Sequence, residues 1–204
     1  MKYSNAYSGV KKFFVSEVLN VIASVIYLAE TLFYLFVGSK SVSTGTAIFT
    51  FSLMFIGGIV GLIAFILQVV GLSQARKDEP LFRTAFTFVI VGIICTVIAT
   101  VTAGTFSNIF SGVNEFVTLL VSVYLILGVY SLALKFDDKG VQSSGKLTTI
   151  VVSAVFAIAV AAEIIGIFTP AVNNVFDTVC AALNLFGYAV FLTYLARAKK
   201  MFVK

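Results

Sequence analysis

Histidine and tryptophan are both missing from this sequence, and charge is scarce. Without histidine the chain lacks the commonest metal ligand and the usual general base at neutral pH. Without tryptophan, any aromatic belt at a membrane interface rests on Tyr and Phe. The two cysteines, Cys95 and Cys180, both lie in apolar runs; they make no disulfide framework and read as buried small hydrophobes. No G-x-S-x-G, P-loop, metal-ligand spacing or dinucleotide fingerprint occurs. The chain therefore reads as a non-enzyme with no cofactor and no metal site.

What is there is apolar. Hydrophobic residues make up 60% of the 204 and charged ones 11%, against about 45–50% and 25% in soluble domains. Six runs, at about 13–37, 47–72, 84–103, 116–134, 147–168 and 175–195, each approach or exceed the roughly 20 residues that cross a bilayer. The expected fold is an all-α integral membrane protein of six transmembrane helices in a single domain. The stretches between runs, including GTFSNIFSGVNE and KFDDKGVQSSGK, read as connections. The first run has no small-residue cleavage site after it and is expected to be retained rather than removed as a signal peptide.

Of the 14 basic residues, all but Lys40 precede an odd run or follow an even one. The positive-inside rule places those segments, and both termini, in the cytoplasm. The net charge of +5 is thus a topology signal, with anionic lipid rather than nucleic acid as its partner. Composition suggests a bacterial plasma-membrane protein.

The chain also reads as three hairpins, each ending in a basic segment. Gly104, Phe106, Ser107, Val113, Glu115 and Val117 align with Gly166, Phe168, Thr169, Val175, Asp177 and Val179 at a separation of 62 residues. Such parallel repeats would be related by an axis near the membrane normal.

The first run is striped. Glu17, Asn20, Ser24, Tyr27, Thr31 and Tyr34 recur at three- and four-residue steps, one helical face, with Glu30 beside it. Ionisable groups in hydrocarbon face a bundle interior, so this face implies partner helices. Gly57, Gly61, Ala64, Gln68, Gly71 and Ala75 form a small-residue face in the second run, expected to lie against another helix. Gly61→Leu is then expected to loosen the protein.

Available chemistry is carboxylate chemistry near the outer end. Glu30 and Glu163 each sit in an Ala-Glu pair at similar depth, roughly 25 Å along outward-running spans at 1.5 Å per residue. They are expected to share one cavity, a candidate cation or proton site, with Tyr27, Asp177, Asn184 and Glu115 as further candidate ligands. Glu115 and Asp177 also suit helix first turns, where a carboxylate offsets the dipole. Glu17, one turn from Lys12 near the inner interface, reads as a snorkelling or ion-paired residue. The expected function is binding or transport of a small cationic solute or ion through a polar, acidic outer cavity. The alternative is an accessory or assembly protein whose stripes pack helices, engage a partner subunit or form a homo-oligomer.

Overall fold

The computed structural model describes residues 3–37, 44–168 and 173–203, apart from the side chains of 37, 44, 46, 47, 105, 108, 111, 115, 159, 160, 162–168, 173 and 174. It is all-helical over these residues. Six helices follow one another: α1 Ser4–Val37, α2 Thr44–Ala75, α3 Pro80–Val101, α4 Thr105–Lys135, α5 Lys139–Phe168 and α6 Asn173–Met201. All six are long and apolar enough to cross a membrane.

The helices form a ring in chain order. Each packs on its neighbours, α6 closes on α1, and only the seam between α2 and α3 is sparse. Because α4 also packs on α5, and α6 on α1, adjacency fits a simple up-and-down ring as well as three hairpins.

The helices run past the apolar stretches. The 34 residues of α1 make about 51 Å of helix, against roughly 30 Å of hydrocarbon. GTFSNIFSGVNE, read from sequence as a connection, lies almost wholly in α4, and the link before it is Thr102–Gly104, where Gly104 takes φ 65°. Likewise α5 begins at Lys139 inside the expected loop. Apolar content reports where lipid demands it; backbone hydrogen bonding carries a helix on into polar sequence. Pro80 stands in the first turn of α3, where no intrahelical N–H partner is needed.

The continuous core lies at the basic end. Ala6, Val10 and Phe13 of α1 pack with Leu72, Ala75, Phe82, Leu125, Val129, Phe191 and Tyr194. The Phe13 and Phe82 rings approach to 5.6 Å between centroids. The α1–α2 crossing there is close enough that a Cβ on Gly71 would lie 2.6 Å from Phe13, and one on Gly9 2.7 Å from the Gly71 carbonyl oxygen. Polar contacts finish this end. The Asp78 carboxylate accepts from the Ala6 N–H at 2.8 Å and from Asn5 at 3.0 Å, tying the α2–α3 turn to the start of α1. Lys135 donates to the buried Glu79 carboxylate.

The small-residue face of α2 does turn inward, but it does two jobs. At Gly71 and Ala75 it meets α1. At Gly61 a Cβ would find nothing within 4 Å. The expectation that this face lies against another helix holds on either side, since a Cβ on Gly57 would lie 3.4 Å from Ile26 of α1 and the Ala64 carbonyl accepts from Ser16 at 2.8 Å, but Gly61 between them faces a cavity.

Candidate functional site

Beside Gly61 the helices leave a partly open cavity of about 210 Å³ between them. Its polar lining is Glu17 and Asn20 from α1, Gln68 from α2, Thr118 and Ser122 from α4, and Asn184 and Tyr188 from α6. Phe65, Val155, Phe156 and Phe191 supply apolar walls. No lysine or arginine is among the lining residues.

Glu17 is 4% exposed. Its Oε2 accepts from the Asn20 amide at 3.1 Å. Its Oε1 is buried with no hydrogen-bond partner, alone in this among the described residues. The ion pair expected with Lys12 does not form. Lys12 donates instead to Gln74 Oε1 at 2.7 Å and Ser8 Oγ at 3.1 Å, on the basic side of the core. With Phe13 level with Phe82, Glu17 stands opposite position 86, about 9 Å along α3 at 1.5 Å per residue. That level is three residues beyond the exposed Arg83 of α3, at the inner margin of the apolar stretch.

A second cavity of about 430 Å³ continues from the first along α1, sharing Asn20, Gly61, Asn184 and Tyr188 with it. It is lined further by Ser24, Tyr27, Glu30, Gly57 and Ala181. The polar stripe of α1 therefore lines one corridor, from Glu17 to Glu30, about 20 Å at 1.5 Å per residue. Glu30 is 8% exposed within it. At the basic end the corridor is blocked by the Phe13–Phe82 core.

Of the candidate residues, the structure brings Glu30, Tyr27 and Asn184 together in this corridor. Asp177 is exposed near the start of α6 and lines none of the cavities described here. The side chains of Glu163 and Glu115 lie outside the described residues, although both positions are helical. Glu17, Asn20 and Gln68 are the residues that sequence reasoning left out of the site. The helical step from Glu17 to Asn20 to Ser24 held the signal, masked by the nearness of Lys12 in the chain.

The arrangement suits a monovalent cation with hydrogen-bond donors. It offers one carboxylate oxygen in need of a donor, several amide and hydroxyl oxygens, and tyrosine and phenylalanine rings for cation–π contact. A divalent metal fits less well: among the described residues no three Asp, Glu, Cys or His side chains converge. No protein family, curated protein or solved structure matches this chain.

Proposed function

We propose that this protein is a membrane solute-binding or transport protein that takes a small cation, best a primary ammonium, into the corridor ending at Glu17. Both termini and the basic end face the cytoplasm of a plasma membrane, on the charge bias of the connecting segments. The solute then arrives from the opposite side, past Glu30, and the Phe13–Phe82 core is the inner barrier.

The observation that carries this reading is the buried, partnerless Oε1 of Glu17 in a cavity without a basic residue. Leaving a buried polar group's hydrogen bond unmade in such a place costs about 1–3 kcal/mol, so a ligand donor there is stabilising. An accessory protein needs only stripes that pack against each other; cavities along the stripe weigh against that alternative.

The test is thermal unfolding of the purified protein with sodium, potassium, methylammonium or calcium. Methylammonium is expected to raise Tm in proportion to the logarithm of its concentration once it exceeds Kd, as a ligand of the folded state does. Glu17→Gln should fold and lose the response, because the amide keeps the volume but not the charge. A response retained in Glu17→Gln, or no response to any monovalent cation, overturns the assignment. Uptake of labelled methylammonium into proteoliposomes then separates transport from binding.

A further inference from the structure

A third cavity, about 460 Å³, lies beside the first and has a different character. It sits between α2 and the α3–α4 pair, at the one sparse seam of the ring. Phe65, Gln68 and Thr118 belong to both cavities, so the two adjoin directly. Its walls are mostly apolar: Phe88, Val89, Ile93 and Val97 from α3, with Val117 and Val121 from α4.

These positions fall at membrane depth. From Phe88 to Val97 the groove follows α3 for about 14 Å at 1.5 Å per residue, and α3 itself, 22 residues long, spans about the hydrocarbon thickness. The groove starts close to the level of Glu17, opposite position 86, and runs toward the end away from the basic one. Gly92 is buried there against Asn114 and Val117, which holds α3 on α4 and leaves α2 as the side that stands off.

We propose that the solute is an amphiphile, a primary ammonium with a single alkyl chain. It would be held with its head at Glu17 and its tail in the α2–α3 groove. This rests on the reading of Glu17 as the cation site and adds the chemical class of the rest of the molecule. The charge belongs in the polar cavity because, among the described residues, the only carboxylate lining either space is Glu17. The tail belongs in the groove because it is the apolar space that adjoins that cavity at the sparse seam. Packing against lipid offers no hydrophobic gain over packing against protein. The groove therefore selects by shape and position, while Glu17 anchors.

The experiment uses dodecylammonium carrying a diazirine near the end of its tail, with the full-length protein in lipid nanodiscs. Photolysis and peptide mapping are expected to place saturable adducts on the α2–α3 groove, around Ile93 and Val97. Excess methylammonium should displace them, and Glu17→Gln should reduce them to the level on lipid-facing helix surfaces such as that of Ile59. Thr96→Phe, which fills the groove away from the carboxylate, should abolish the groove adducts and keep the Tm response to methylammonium. Adducts spread evenly over lipid-facing surfaces, or groove adducts indifferent to Glu17→Gln and to methylammonium, overturn the proposal. If methylammonium still stabilises the wild type in that case, only the amphiphile inference fails. If it does not, the cation site fails with it.

Discussion

Two glycines ten residues apart on α2 should respond oppositely to the same substitution. At Gly71 a new Cβ would lie 2.6 Å from the Phe13 ring and 3.1 Å from the Gly9 carbonyl oxygen. Carbon contacts are optimal near 3.5–4.0 Å. Phe13 cannot swing away freely, since it already packs on Phe82 at 5.6 Å between centroids. Overpacking of this kind costs about 1–3 kcal/mol. The helix recovers roughly 0.5–1 kcal/mol on replacing glycine by alanine. Gly71→Ala should therefore lose up to about 2.5 kcal/mol, a fall in Tm of up to about 10 °C for a chain of this length. Gly61→Ala meets nothing within 4 Å, so only the helical gain remains and Tm should hold or rise slightly. Gly61→Leu places four side-chain carbons in the cavity; it should leave Tm near that of the wild type and abolish the methylammonium response. Far-UV circular dichroism in detergent reads all three transitions. A loss for Gly61→Ala as large as for Gly71→Ala would mean that the helices close at Gly61, and the cavity argument would collapse.

Other outcomes follow from the basic end. A cysteine at Ser43 should react with an impermeant maleimide added to intact cells, and one at Gln142 should not; labelling at Gln142 reverses the proposed orientation. Lys135→Met leaves the buried Glu79 carboxylate without its ammonium partner and should cost about 1–3 kcal/mol, whereas Lys139→Met at an exposed site should cost under about 0.5 kcal/mol, both by thermal unfolding. Asp78→Ala removes the acceptor for the Ala6 N–H and should lower stability by about 0.5–2 kcal/mol, with faster amide exchange confined to the first turns of α1. Equal protection in that segment would refute the capping role.

The number of helices and their apolar spans were legible in the chain because lipid imposes a long, nearly uncharged stretch at every crossing. The inward face of α1 was legible too, because hydroxyls and carboxylates at three- and four-residue steps cannot face hydrocarbon. Helix ends were not. Once outside the hydrocarbon, polar residues such as those of α4 from Thr105 onward are neutral between helix and loop.

The site itself was decided only in three dimensions. Whether Glu17 pairs with Lys12 depends on what else Lys12 can reach, and Gln74, 62 residues away, takes that ammonium. Whether glycine means contact or space depends on the neighbour across it. Gly71 faces Phe13 and closes the bundle, while Gly61, on the same face of the same helix, opens onto a cavity. Periodicity along one helix says which residues turn inward. Only the angle and distance of the other helices say whether they meet a side chain or a solute.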